Sequence, residues 1–89
     1  MRSRTDRMYM VIAMYYETEI ATARLTGRMP TTRQAARDWG VSRPTIDHAW
    51  EILRRDCFID TDRTGTRVNE FRSQLAAYRK KHGPKGEKS

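Results

Sequence analysis

The sequence predicts a mainly α-helical domain carrying one small β-hairpin, with a long helix at its N-terminal end and a further helix at its C-terminal end. Three observations lead there. Between Pro30 and Trp50 two short helical patterns are separated only by Gly40-Val41-Ser42. After Arg55-Asp56 the helical spacing gives way to β-type residues around a glycine turn. The chain has 89 residues, of which 37% are hydrophobic, enough for one compact core and too few for a typical two-domain enzyme.

The first helix is expected from about Met8 to Leu25. That segment has no proline or glycine, and Met8, Val11, Ile12, Tyr15, Tyr16, Ile20 and Ala23 mostly keep helical spacing. Asp6 is placed to cap its start. Gly27 follows the pattern at the position of a left-handed C-cap, which glycine adopts without steric cost.

Thr31 precedes Gln34 by the capping-box interval, so a second helix should start near Thr32 and stop at Gly40. Ala35, Ala36 and Trp39 form its inward face, and small residues there let a neighbouring helix approach closely. Arg33 and Arg37, four residues apart, share an outward face suited to a phosphate backbone. Val41 then plugs the turn.

Ser42 is the N-cap expected for a third helix. Pro44 falls in its first turn, where the missing N–H has no intrahelical partner in any case. Ile46, Ala49, Trp50 and Leu53 make an i, i+3, i+4, i+7 core stripe. Arg43, Pro44, Asp47, His48 and Glu51 are left on outward or flanking faces, with Thr45 at the boundary.

Cys57 to Asp62 reads as an extended strand, Arg63-Thr64-Gly65 as a turn, and Thr66 to Asn69 as the return strand. Phe71, Leu75 and Tyr78 share helical spacing, and Ala76 and Ala77 add helix propensity, so a last helix should run to about Lys81. The segment HGPKGEKS, residues 82–89, reads as a disordered basic tail. This gives one domain over residues 1–81, with paired helices at 31–55, a hairpin at 57–69 and a final helix at 70–81. Helix, helix-turn-helix and hairpin in that order make a winged helix-turn-helix. In that arrangement the N-terminal end of the second helix of the pair reaches base edges in the DNA major groove, and the hairpin lies beside it.

Charge agrees with an anionic partner. Eighteen Lys and Arg against 11 Asp and Glu give a formal charge of +7. The excess is uneven, at +1 for residues 1–27, +2 for 28–68 and +4 for 69–89, so the helix-turn-helix must place its arginines well, and the tail adds salt-dependent attraction. The single cysteine, Cys57, excludes an internal disulfide and a Cys-based zinc site, and fits a reducing compartment. It is expected to be a small buried packing residue. His48 has no second histidine at ligand spacing, so no metal site and no cofactor are expected. Trp39 and Trp50 lie on inward stripes and belong to the core rather than to a base-stacking platform.

No apolar run approaches the roughly 18 residues of a membrane span, and Tyr15, Tyr16 and Glu17 interrupt the only candidate signal segment. A cytoplasmic, nucleoid-associated protein with no membrane partner is expected. Nor is an enzyme expected. There is no nucleophile at a strand-turn-helix and no phosphate-binding glycine loop, and Asp47-His48 beside Glu51 has too little chain around it to enclose a substrate.

The stretch MPTTRQAARDWGVSRPTIDHAWEILRRDCFIDTDRTGTRV, Met29 to Val68, resembles the DNA-binding domain of GntR-type bacterial regulators. The likeness covers about Gly27 to Val68. It is densest at Pro30, Arg33, Ala36, Gly40-Val41-Ser42-Arg43, Thr45-Ile46, Ala49, Leu53 and Gly65-Thr66. It implies Arg33 on phosphate or base, Ser42 and Thr45 on phosphates, Arg43 on a guanine edge, and the hairpin tip near Gly65 in the minor groove. The chemistry suits those roles, since a guanidinium matches guanine O6 and N7, and hydroxyls at a helix start can join its N–H groups on a phosphate. The DNA-contacting set expected is therefore Thr32, Arg33, Ser42, Arg43, Pro44, Thr45, Asp47, His48, Arg63, Thr64, Gly65 and Arg67.

The chain also departs from that family. Asp47 stands where a second arginine is usual, with a neighbouring Arg or Lys expected to hold it, and Pro44 and His48 further alter the reading positions. Cys57 replaces a glycine. The hairpin is shorter, and the strand usual before Pro30 should be minimal. Only Glu70 to Ser89 follow the hairpin where the family continues into an effector-binding domain, so no small-molecule effector is expected.

Met8, Tyr9, Met10, Val11, Met14, Tyr15 and Tyr16, with Phe71, Leu75 and Tyr78, exceed what a three-helix core needs. A homodimer through the N- and C-terminal helices is therefore expected. The function expected is a sequence-specific regulator of transcription on double-stranded DNA, a small repressor acting by promoter occupancy. The alternatives are a DNA-architectural, excisionase-like or replication accessory factor of a phage or mobile element, and a winged helix used to bind protein.

Overall fold

A computed structural model describes residues 4–82. The chain forms α1 (Arg4–Ala21), α2 (Thr32–Trp39), α3 (Arg43–Arg55), β1 (Ile59–Asp62), β2 (Gly65–Val68) and α4 (Glu70–His82). Of the basic tail expected over residues 82–89, His82 instead closes α4, and the rest lies outside the described residues.

One core joins the elements. Ile12, Ala13, Tyr16 and Ile20 of α1 meet Ala35 and Ala36 of α2, the stripe Ile46, Ala49, Trp50 and Leu53 of α3, and Met29, Ile59 and Val68. Burying each Ile or Leu contributes about 1.5–3 kcal/mol, so this stripe does most to hold α3 in place. The inward face of α1 differs from the expected one at Val11 and Tyr15, which are exposed, while Ala13 is buried. Ala13, which the helical spacing did not single out, belongs to the core cluster.

Three helices end in the same way. The N–H two residues past the cap donates to the carbonyl five residues back, and the preceding N–H donates three residues back: Arg24 to Glu19 at 2.8 Å and Ala23 to Ile20 at 3.1 Å; Val41 to Ala36 at 3.0 Å and Gly40 to Arg37 at 3.3 Å; Phe58 to Leu53 at 2.8 Å and Cys57 to Arg54 at 3.0 Å. This is the Schellman pattern, which requires a left-handed residue at the reversal. Gly40 supplies it at φ 68°, but Ala23 and Cys57 supply it at 62° and 61°.

The expectations for α1 and for Cys57 are corrected. α1 stops at Ala21 and turns at Ala23, not at Gly27, and it begins at Arg4, so Asp6 lies inside it rather than capping it. Cys57 is an exposed turn residue, neither buried nor part of a strand, because the reversal into β1 falls on it. Gly27 serves the sheet instead. At φ 77° its carbonyl accepts from Val68 N at 2.7 Å, and Met29 N donates to Thr66 O at 2.9 Å. With the single bridge Arg28↔Arg67, residues 27–29 form the minimal extra strand expected before Pro30.

β1 and β2 pair antiparallel with Ile59 opposite Val68 and Asp62 opposite Gly65. Ile59 and Val68 are the buried pair that plants the hairpin in the core, and alternation sends Asp60, Asp62 and Arg67 to the other face. Neither Arg63 nor Thr64 has positive φ, so the reversal is completed by Gly65 at φ 126°. Asn69 leaves the hairpin to cap α4, its side-chain oxygen accepting from Arg72 N at 3.0 Å.

α4 is fixed by Arg72, which donates to the Asp56 carbonyl at 2.8 Å and lies 4.1 Å over the Phe58 ring. Ala76 is its buried residue. Of the expected apolar stripe only Leu75 is half-buried, whereas Phe71 and Tyr78 are 72% and 61% exposed.

Candidate nucleic-acid interface

The turn between α2 and α3 determines what the surface presents. Thr31 accepts from Gln34 N at 3.1 Å and starts α2 as expected, Gly40 reverses the chain, and Val41 packs against the core. The four-residue core stripe of α3 then aims its N-terminal end outward. Arg43, Pro44, Asp47, His48 and Glu51 are all exposed there. Arg33, in the first turn of α2, is exposed as well, and Thr32 beside it is half-buried.

Ser42 has the extended backbone of an N-cap, but its hydroxyl does not cap the helix amides. It lies 3.1 Å from the Thr45 hydroxyl instead. Thr45 is buried, so of these two hydroxyls the one presented to solvent belongs to Ser42. Pro44 removes one backbone donor from the helix start, leaving fewer N–H groups for an anion.

Among the described residues no ion pair engages the charges on this face. The ion pair within 4.0 Å found among the described residues is Arg24 with Glu19, at 3.7 Å on the far end of α1. No described residue pairs with the guanidinium groups of Arg33 or Arg43. Among the described residues no arginine or lysine is paired with Asp47, which was expected to be held by one.

His48 is tied down by its ring. It stacks on Tyr9 of α1 with centroids 3.8 Å apart and planes at 12°. No described residue hydrogen-bonds either imidazole nitrogen, so the face of the ring is occupied and its edge is free.

The hairpin joins the same surface through a residue that the sequence did not single out. Arg54 donates to the Thr61 hydroxyl at 3.1 Å, and Thr61 lies 3.1 Å from Thr66 across the strands. These threonines are in phase with Ile59 and Val68, so the hairpin turns that face toward α3. Arg67 lies on the opposite face with Asp60 and Asp62, and is not brought beside Arg43. At the tip, Asp62 accepts from the Thr64 hydroxyl at 2.6 Å and the Thr64 N–H at 2.9 Å. Those bonds, the hydroxyl first, hold its carboxyl below the usual range. Arg28 donates to the Thr64 carbonyl at 3.2 Å and braces the tip from behind, while Arg63 and Gly65 are exposed at its end. A sequence signal for Arg54 existed only in its place eleven residues after Arg43, on the same side of the helix. The use of Arg28 depended on a pairing across 36 residues.

Among the described residues no group of three metal-ligating side chains comes together, and no helix is long and apolar enough to cross a membrane. No family model matches the sequence, and neither does any curated protein. Among solved structures the chain is similar to the crystal structure of a transcriptional regulator from Oenococcus oeni. The TM-score is 0.73 with 19% sequence identity, covering 92% of this chain and 69% of that one. Four helices and an antiparallel hairpin, in this order and with this likeness, give the chain the winged helix-turn-helix fold.

Proposed function

We propose that the protein is a sequence-specific regulator of transcription on double-stranded DNA, of the GntR type, acting as a small repressor that occupies a promoter as a homodimer. The observation that carries this reading is the N-terminal end of α3, where Arg43 is exposed with no ion pair among the described residues, while the C-terminal end of the same helix holds the hairpin through Arg54. In this reading α3 enters the major groove and Arg43 donates two parallel hydrogen bonds to a guanine. Thr32, Arg33 and Ser42 meet phosphates, with Thr45 supporting Ser42 from beneath. Arg63, Thr64 and Gly65 enter the neighbouring minor groove, and Arg67 follows the backbone from the outer face of the hairpin. Asp47 and His48 narrow the sequences accepted, Asp47 by accepting from a cytosine amino group.

The dimer reading is supported by apolar surface that the fold leaves uncovered: Met10, Val11, Met14 and Tyr15 on α1, and Phe71 and Tyr78 on α4. Contiguous apolar patches of this kind mark association surfaces. A two-fold dimer reads an inverted repeat with half-sites about one helical turn apart, roughly 10 to 10.5 base pairs, or a multiple of it.

Binding-site selection from random duplex DNA tests the function. The expected outcome is an inverted repeat whose information at one position per half-site disappears in Arg43→Ala. An equal loss on every sequence would reduce Arg43 to a phosphate contact, and no selected sequence would remove the proposed function.

A further inference from the structure

We propose that Tyr9 is a positioning residue for DNA reading, holding the His48 imidazole so that its free edge meets the DNA at one fixed place. The inference rests on the function proposed above and adds the start of α1 to the reading surface.

An exposed histidine in the middle of a helix ordinarily samples several side-chain rotamers, and a contact made from several positions discriminates poorly between bases. His48 is exposed on α3 but is not free to move in that way, because one face of its ring lies parallel to Tyr9 at 3.8 Å. Tyr9 is itself half-buried and packed against the core cluster, so it forms a wall, not a second mobile group. The two rings are within 12° of parallel, and the His48 side of the pair is exposed. With neither imidazole nitrogen bonded by a described residue, the held ring offers its edge as donor or acceptor. The nearby Arg43 guanidinium and the Ser42 hydroxyl are on the same exposed end of α3. The chemistry that fits is a base edge in the groove, where both a donor and an acceptor are presented by each pair.

The test is binding-site selection with the wild type, Tyr9→Phe, Tyr9→Leu, His48→Ala and the double variant, each with its thermal midpoint. Proton resonances of the His48 ring are recorded on the free proteins. In the wild type and Tyr9→Phe those resonances carry the upfield displacement of a stacked ring, and in Tyr9→Leu they lose it. Tyr9→Leu and His48→Ala are expected to flatten the preference at the same position, by about five-fold or more, while Tyr9→Phe retains it and the double variant is no worse than either single one.

The proposal is overturned if Tyr9→Leu selects the wild-type sequence with wild-type stringency, if it weakens all sequences equally, or if it flattens a position that His48→Ala leaves intact. A wild type that selects a sequence while these variants behave so removes only this inference. A wild type that selects nothing removes the proposed function, and this inference with it.

Discussion

Replacing Cys57 with glycine should stabilise the protein, although it removes a side chain. Cys57 holds φ at 61° in the reversal between α3 and β1, and its side chain is exposed, so little buried surface is lost with it. A left-handed backbone costs a residue with a Cβ about 1–2 kcal/mol relative to glycine. Glycine gives back part of that through the greater freedom of the unfolded chain, about 0.4–1 kcal/mol. The central values leave a gain of about 0.8 kcal/mol, or a rise in Tm of roughly 3–6 °C for a domain of this size. Thermal unfolding followed by far-UV circular dichroism under reducing conditions reads it.

Gly40→Ala is the mirror control. The position has φ 68° and open space around a new Cβ, so its cost is conformational alone and Tm should fall by a similar amount. A Cys57→Gly protein that melts at or below the wild-type temperature would refute the claim that the shared helix-ending geometry, with its left-handed third position, is what these residues sustain.

Four further outcomes follow from the same structure. Leu53 is fully buried, and Leu53→Ala should destabilise by about 2–5 kcal/mol in urea titration, far more than Phe71→Ala at the exposed face of α4. Burial pushes the Tyr16 phenol above its ordinary pKa, against the lowering effect of the Trp39 indole that donates to it at 3.2 Å. The stability tied to the neutral phenol is thus complete below the ordinary tyrosine range and is lost as pH rises toward the raised folded value. The denaturation midpoint of Tyr16→Phe should fall less steeply over that alkaline window than that of the wild type. Glu17 is pushed up by partial burial and then by Asp56, against Arg72, so its ionised form opposes folding at neutral pH. Glu17→Gln should melt higher than the wild type at pH 7 and lose that advantage as pH falls through the carboxylate range. Arg33→Ala should weaken binding on all sequences alike and reduce the salt slope of the binding constant by about one.

The parts of the fold readable in the sequence were those with local causes. Thr31 with Gln34, Gly40, Pro44 and the stripe Ile46, Ala49, Trp50 and Leu53 each state their role within a few residues, and the helices they bound lie where expected. Ala23 and Cys57 state nothing locally. Their left-handed backbones are imposed by the chain returning to pack Met29 and Ile59 in the core, so the expected end of α1 and the expected burial of Cys57 both failed. At the surface the sequence indicated which side chains of α3 face outward, but not their partners. The ring of Tyr9 on His48 and the Arg54 link to Thr61 both depend on how separate elements meet.

The start of α3, the first turn of α2 and the hairpin tip are proposed to form one DNA-binding face. Backbone amide shifts of isotopically labelled protein, titrated with a selected duplex and with a scrambled one, test it most directly. Changes are expected at Thr32 and Arg33, from Ser42 to His48 except Pro44, which has no amide, and from Arg63 to Arg67, larger with the selected duplex and sparing the end of α1 around Arg24. Changes confined to the exposed apolar residues of α1 and α4, or identical with both duplexes, would contradict it.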